Sequence, residues 1–338
     1  MNQGLEGVVA AETALSMVDG ERGELIIAGY PVEELAPNAT FEEVVSLLGV
    51  SPAGDREITY DYGVLRRFAD PMDALRAGAG LLVENQLFAA FPTIVAAHWR
   101  LQHGLDPIAP RSDLRHAANY LYMLNGEVPS PERVRALETY LNTVVDHGLN
   151  ASTFTARVIT STGSDLVSAI VGAVGALKGP LHGGAPGPAL EMVFEIGEPS
   201  RAEEVLRKKI EAGERLMGFG HRVYKVRDPR ADVLAAAAER LLAGNPIYDL
   251  AKHVERTAIR LLEEYKPGRR LQTNVEFYTA LLLHGIGLET ALFTPTFAIS
   301  RVAGWLAHCL EQRRTGRLIR PQSVYVGPRN LHFDPSYA

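Results

Sequence analysis

The segment GFGHRVYKVRDPR, residues Gly218 to Arg230, sets one histidine behind a glycine-framed turn and ahead of a run with four basic residues and a single carboxylate, Asp228. An imidazole in such company can donate to a small anion that the cations hold, or exchange a proton with it. Two more histidines share its local setting. His147 in DHGLNAST and His182 in LHGGA, like His221 in GFGHR, each sit beside glycine at the end of a helical segment. Loops at such ends present side chains to clefts. Taken singly, each is equally well an imidazole hydrogen-bonded at a capped helix end. Three together argue for chemistry. The remaining seven of the ten histidines, His98, His103, His116, His253, His284, His308 and His332, have no polar cluster legible in the sequence and are read as core or surface residues.

Three familiar chemistries fail on spacing. The candidate histidines lie 35 and 39 residues apart (147 to 182, 182 to 221), and no His-Glu-x-x-His occurs, so no metal site is expected. HGGA is like an esterase oxyanion loop, yet the chain has no Gly-x-Ser-x-Gly. GAVGALKG around Gly172 is no Walker loop, because Lys178 is followed by glycine instead of Ser or Thr. Its two glycines are read as close-packing positions on a helix.

The elements that must position these residues are mostly helical. Ser130 with Pro131 opens a segment whose Val134, Leu137, Leu141, Val144 and Val145 fall at helical spacing. Ser200 with Glu203 predicts a capping box before Val205, Leu206, Ile210 and Met217. Asp228-Pro229 reads as N-cap and first residue of a helix running through Ala231 to Leu242, closed by Gly244. Only TALSMVDGERGELIIAGY differs, with two β-prone runs around a glycine turn that predict one small hairpin. Glycine and proline concentrate at KGPLHGGAPGPA (Lys178 to Ala189) and YKPGRR (Tyr265 to Arg270), the expected edges of an inserted subdomain.

Composition bounds what such a site can serve. With 338 residues, 46% hydrophobic and 22% charged, the chain has room for two domains and apolar surface for a core. A formal net charge of -6 argues against a nucleic-acid partner, so the basic run is read as serving a local anion. The single cysteine, Cys309, excludes an intrachain disulfide framework and points to a reducing, cytoplasmic setting. The apolar run Leu166 to Leu177 ends at Lys178 after twelve residues, too short to span a bilayer, and no basic-then-apolar leader opens the chain, so neither a membrane nor secretion is expected.

The ordered set LHGGA, GFGHRVYKVRDPRA, NVEFYTA, SRVAGWLAH and RLIRPQSVYVG resembles the citrate synthase family, with similarity from GLEGVVAAET near the start to the end of the chain. The resemblance implies an all-α, two-domain homodimer with the small N-terminal β-hairpin already read. A large domain would comprise residues 1–181 and 281–338, and a small one 182–280 would close the cleft. It implies condensation of acetyl-CoA, as co-substrate, with oxaloacetate to give citrate and CoA, with no tightly bound cofactor. Neighbouring members use propionyl-CoA to make 2-methylcitrate.

That chemistry needs a carboxylate to take a proton from the thioester methyl group and a donor to hold the enolate oxygen. By resemblance, Glu276 occupies the position of the base, His182 donates to the enolate and His221 activates the ketone of oxaloacetate. Arg230, Arg301 and Arg320 would clamp the carboxylates, Arg320 from the partner subunit, with His147 on a further side. Lys225 and Arg269 would meet CoA phosphates, while Arg222 and Arg227 are read as solvated charges. Arg230 also falls in the first turn of a helix, whose amides favour an anion.

Three departures mark the chain. The segment between FEEVVSLL and DPMDALR is shorter than usual by about a helical pair, Pro186 follows HGGA where Asn is common, and NVD has become NVE. Thr273 stands where proline is common, so TNVE also spells a capping box that would turn Glu276 back on Thr273. A second hypothesis follows, a weakly active or non-catalytic paralogue that binds CoA esters or dicarboxylates.

Overall fold

A computed structural model describes residues 3–5, 7–58, 60–183, 186–221 and 223–332, so Arg222 lies outside the described residues. Near the amino terminus, β1 (Ser16–Asp19), β2 (Glu24–Ile27) and β3 (Tyr30–Pro31) form an antiparallel sheet, with Val18 opposite Leu25 and Ile27 opposite Tyr30. The predicted hairpin is present, extended by a two-residue third strand. Leu25 and Ile27, two apart, point to the same face and are buried.

Helices make up the rest: α1 (Val32–Asn38), α2 (Phe41–Leu47), α3 (Pro71–Ala79), α4 (Phe91–Gln102), α5 (His116–Asn125), α6 (Pro131–Val144), α7 (Ala151–Ser161) and α8 (Leu166–Lys178). After the turn that carries His182 come α9 (Pro186–Ile196), α10 (Ala202–Glu211), α11 (Pro229–Leu241), α12 (Pro246–Tyr265), α13 (Val275–Ile286) and α14 (Phe293–Thr315). Four of them start alike. Asp70, Ser130, Asp228 and Asn245 each accept a backbone N–H from the first turn, and a proline follows at the first helical position. The starts read at Ser130 and Asp228 therefore hold. The capping box read at Ser200 does not: the hydroxyl of Ser200 donates to Glu198, and Arg201 precedes α10 without a side-chain cap. Glu203 instead pairs across the surface with Arg207 and Arg260. A local pattern was outcompeted by tertiary charge pairing.

α14 is buried on nearly every side from Phe293 to Gln312 and packs on α4, α6, α7 and α8. An all-round buried helix is a core helix. α7 lies close against α8 because Gly172 has no side chain: a Cβ there would sit 2.3 Å from Ile159 Cδ1. The second glycine of that helix, Gly175, plays no such part: a Cβ there would meet only Arg76 Cδ, at 4.0 Å. α11 rests on α13, α6 and α1, while α10 rests on α12. Among the described residues no single helix is long and apolar enough to cross a membrane; α13 and α14, which combine the length and the apolar composition only as a pair, bend by 117° and are largely buried in the core.

Candidate active site

The turn GFGH exists because two of its residues are glycine. Gly218 and Gly220 take φ of +89° and +80°, and a Cβ on Gly218 would lie 2.9 Å from that of Phe277. The turn pairs with the strand-like stretch before α13: Phe219 bridges Thr273, Gly220 N–H donates to Gln272 O at 2.7 Å, and Asn274 N–H donates to Gly218 O at 3.0 Å. Asn274 then caps α13, its Oδ1 accepting Glu276 N–H and its Nδ2 donating to Gly220 O. One small bridge thus sets both His221 and Glu276. The capping box on Thr273 is absent, because the Thr273 hydroxyl donates to buried Glu255 at 2.7 Å. Among the described residues the Glu276 carboxylate has no hydrogen-bond partner; burial raises its pKa against the pull of Arg230 and Arg215.

His221 is oriented by backbone. Its Nδ1 accepts N–H bonds from Val223 (3.0 Å) and Tyr224 (3.1 Å), so the ring proton belongs on Nε2. Nε2 lies 3.3 Å from Arg230 Nη2. Both groups are donors there. Burial, then Arg230, lowers the imidazole pKa to about 4, so His221 is neutral at pH 7. His147 approaches from the end of α6, its ring centroid 5.9 Å from that of His221 and its Nε2 3.2 Å from the hydroxyl of Tyr224. Burial, then Arg230 and Arg301, pushes His147 well below the usual imidazole range.

Arg230 is held by its own cap: Asp228 accepts Nε–H at 3.0 Å and Nη2–H at 2.8 Å, and its second oxygen also accepts Val275 N–H at 3.2 Å. Asp228 therefore ties the start of α11 to the start of α13. Arg227, read as solvated, is a correction: it pairs with Asp232 and with Glu255, which is buried, and so anchors the loop to α12.

His182 sits on the other side. A Cβ on Gly183 would lie 2.4 Å from Leu177 O, so only glycine lets the chain fold back over the end of α8. His182 Nε2 accepts the Ser152 N–H at 3.3 Å and lies 2.8 Å from the Ser152 hydroxyl, which leaves the ring proton on Nδ1. Trp305 Nε1–H donates to the same hydroxyl at 3.0 Å. Burial, then Arg301, lowers the pKa of His182 to about 4. Arg301 itself is buried on α14, its Nε–H bound to Val144 O at 2.7 Å and its guanidinium over the ring of Phe297. Burial lowers its pKa to about 10, which still leaves it charged at pH 7.

Six of the residues singled out in the sequence, His147, His182, His221, Arg230, Arg301 and Glu276, thus act on one another electrostatically. Three stand apart. Lys225 is exposed beside them and acts on His221, whereas Arg269 is exposed in the turn between α12 and α13. Arg320 lies in the exposed segment after α14, where Ile319 N–H donates to Ser161, the last residue of α7. Ser152, which His182 touches, is in the first turn of that helix, about 14 Å away.

Sequence reading passed over Tyr224, Ser152, Trp305, Asp146 and His308. His308, set aside as bland, is fully buried with Asp146 at 3.2 Å and Arg157 at 2.6 Å, and Arg157 pairs with Glu311. Burial alone would raise the Asp146 carboxyl, but His308, Arg301 and Ser16 outweigh it and hold it below the usual range. Tyr224 had a local signal, an aromatic three residues after His221 in a polar run. The others have partners far along the chain and had none.

The geometry has counterparts. A family model described as citrate synthase, C-terminal domain, matches residues 4–322. Citrate synthase 2 of Bacillus subtilis is 41% identical over 371 aligned positions, covering 98% of each chain, and 2-methylcitrate synthase of Mycobacterium tuberculosis is 38% identical over 360, covering 97% of this chain and 91% of that one. Among solved structures, citrate synthase from Pyrobaculum aerophilum superposes with a TM-score of 0.89 at 38% identity, covering 99% of this chain and 94% of that one. The Thermoplasma acidophilum citrate synthase, solved as a ternary complex with carboxymethyl coenzyme A and oxaloacetate, gives a TM-score of 0.89 at 30% identity, covering 100% of this chain and 99% of that one. Sequence and fold agree over almost the full length, and the chain belongs to the citrate synthase family.

Proposed function

We propose that this chain joins the acetyl group of acetyl-CoA to oxaloacetate and releases citrate and CoA. Glu276 takes a proton from the acetyl methyl group, and His182 Nδ1–H holds the enolate oxygen that forms. The enolate carbon bonds to the keto carbon of oxaloacetate, whose oxygen receives the electron pair and meets His221 Nε2–H. Water then cleaves the thioester. Arg230 and Arg301 hold the carboxylates with His147, and Lys225 and Arg269 lie toward the CoA phosphates. Acetyl-CoA is a co-substrate, with no tightly bound cofactor, and the lone buried Cys309 supports a cytoplasmic setting.

One observation carries the reading: His221 Nε2 and Arg230 Nη2, both donors, stand 3.3 Å apart, with the acceptor nitrogen of the ring turned to the backbone. Two donors so placed are satisfied by one oxygen that sits beside both and accepts from each. The test is thiol release from acetyl-CoA with and without oxaloacetate. Release only with oxaloacetate is expected; release that ignores oxaloacetate, or none at all, sinks the proposal. The relative named 2-methylcitrate synthase favours a second reading with propionyl-CoA, and the faster acyl-CoA in the same assay decides.

The small domain is placed at residues 182–280, an edge that falls inside α13, so the helix is shared between the two parts. Arg320, held at the far end of α7 by its own chain, completes the site from the partner subunit of a homodimer. Mixing Arg320→Ala with His221→Ala chains should then restore activity that neither parent has. Mixed dimers no better than the parents would argue for a site built within one chain.

A further inference from the structure

We infer that the amino-terminal hairpin positions His147 and His221 relative to one another, with Ser16 and Gly20 as positioning residues; the inference rests on the reading of those two histidines as groups that bind and activate substrate. On one side the Ser16 hydroxyl donates to Asp146 Oδ2 at 2.5 Å and accepts Gly148 N–H at 3.0 Å. It grips the residues immediately before and after His147. On the other side Gly20 O accepts Lys225 N–H at 2.8 Å, and a Cβ on Gly20 would lie only 2.2 Å from Val223 O. Gly23 repeats the contact, its Cβ position 2.7 Å from Val226 Cγ2.

The peptides pressed by the hairpin are those that define His221. Val223 and Tyr224 supply the two N–H groups that bind Nδ1 and leave the ring proton on Nε2. The loop is held elsewhere by buried Tyr224 and by Arg227 on Glu255, but Val223 and Val226, which meet the hairpin, are exposed and Gly218 and Gly220 stand at positive φ. Ser16 and Gly20 lie four residues apart on one strand and its turn, at most about 14 Å. A single short piece therefore touches the supports of both rings, whose centroids are 5.9 Å apart. The hairpin is a brace for the site.

Gly20→Ala tests it. Ordinary contact needs at least about 3.4 Å, so the Val223 peptide must retreat by about 1 Å, and misplacement on that scale costs on the order of 10²-fold in rate. We expect kcat with acetyl-CoA and oxaloacetate to fall about 10²-fold. The ring 15N shifts of His221, in protein carrying 15N-histidine, should lose the signature of an unprotonated Nδ1 and a protonated Nε2. Gly29→Ala is the control, because Gly29 lies between β2 and β3 with φ +90° and a Cβ there meets nothing within 4 Å. It strains the hairpin without touching the loop and should leave both readouts unchanged.

If Gly20→Ala does not fold, Ser16→Ala keeps the question open: the KM for oxaloacetate should rise about tenfold while the KM for acetyl-CoA holds, as expected when a contact that seats only one substrate is loosened. A folded Gly20→Ala with His221 shifts unchanged, or a Gly29→Ala with the same damage, overturns the brace. Catalysis by His221 is read separately: full turnover in His221→Ala would sink that reading, while the shifts would still decide the brace.

Discussion

The two histidines that would donate to substrate oxygens are held in opposite ways. His182 leans on Ser152, which Trp305 holds in turn, both fully buried, with Arg301 on the core helix α14 acting on the ring. His221 stands on a loop hinged by two glycines at positive φ, with exposed valines beside it and the hairpin behind it. Elements rich in buried contacts open only with global unfolding, while exposed loops open locally. On the proposed roles, the enolate donor would sit on the more deeply buried wall and the ketone donor on the wall with fewer buried contacts, the one better able to yield as a substrate enters. Hydrogen exchange should separate them, with the amides from Val223 to Arg227 exchanging faster than those of α14; equal protection would erase the contrast.

The largest effect should come from Glu276, the proposed base. Glu276→Gln keeps the shape of the side chain and removes the proton acceptor, and general base catalysis is worth about 10²–10⁴-fold. Turnover should fall by that factor with oxaloacetate binding retained. Full turnover in Glu276→Gln would assign the base to another group.

The arginines test the same contrast at smaller scale. Arg301→Lys keeps a charge in the core but loses the planar fork, so oxaloacetate binding should weaken by about 1.5–3 kcal/mol, roughly 10- to 100-fold in Kd. Arg230→Lys should weaken binding similarly and also lower the melting temperature, because Asp228 loses the fork it shares with the starts of α11 and α13. If Arg301→Lys costs stability and Arg230→Lys does not, the assignment of fixed and yielding walls is reversed.

How much of this was legible follows from where each partner lies along the chain. The starts of α6 and α11 were readable because cap and proline are adjacent in sequence. The turns that carry His182 and His221 were readable from their glycines, since a Cβ would clash at Gly183 and Gly218 and Gly220 takes a positive φ. Glu255 was not readable: it gathers Arg227, Thr273 and Tyr278 from 28, 18 and 23 residues away, and its claim on Thr273 is what removed the expected capping box. The same holds for His308, whose partners lie 162 and 151 residues away. Local patterns survive only where no distant group competes for the same hydrogen bond.

Acid should unravel both walls together. His182 and His221, each lowered to about 4 from an ordinary value of 6.5, are neutral when folded and take up protons when unfolded. The unfolded state binds more protons below pH 6.5, so the stability they allow is present above that value and is lost as pH falls toward 4. Glu276, raised by burial, works in the opposite direction, since the folded state holds its proton longer. With three lowered histidines in the site against one raised carboxylate, the melting temperature should fall across this range. Because the two shifts match, His182→Asn and His221→Asn should flatten the slope by similar amounts. A flattening confined to one of them would show that the walls differ in charge as well as in mobility.

The smallest effect concerns one methylene. An aspartate at position 276 would carry the carboxylate on a shorter side chain, and the start of α13 in this protein is pinned at three points: Asn274 N–H to Gly218 O, Asn274 Nδ2 to Gly220 O and Val275 N–H to Asp228. A helix so anchored has no freedom to slide back and absorb the extra length. The carboxylate of Glu276 therefore stands about 1 Å further from the helix than an aspartate would, a displacement large enough to matter to a proton transfer. Glu276 is not turned back as a cap, and its carboxylate is buried within electrostatic reach of Arg230, Arg215 and Asp228. Glu276→Asp should raise kcat a few-fold and leave the KM for oxaloacetate near its original value, as measured by steady-state thiol release. A slower Glu276→Asp would mean that the opposite wall is set for the longer side chain, with Arg215, which acts on Glu276 electrostatically, as the residue that fixes its position.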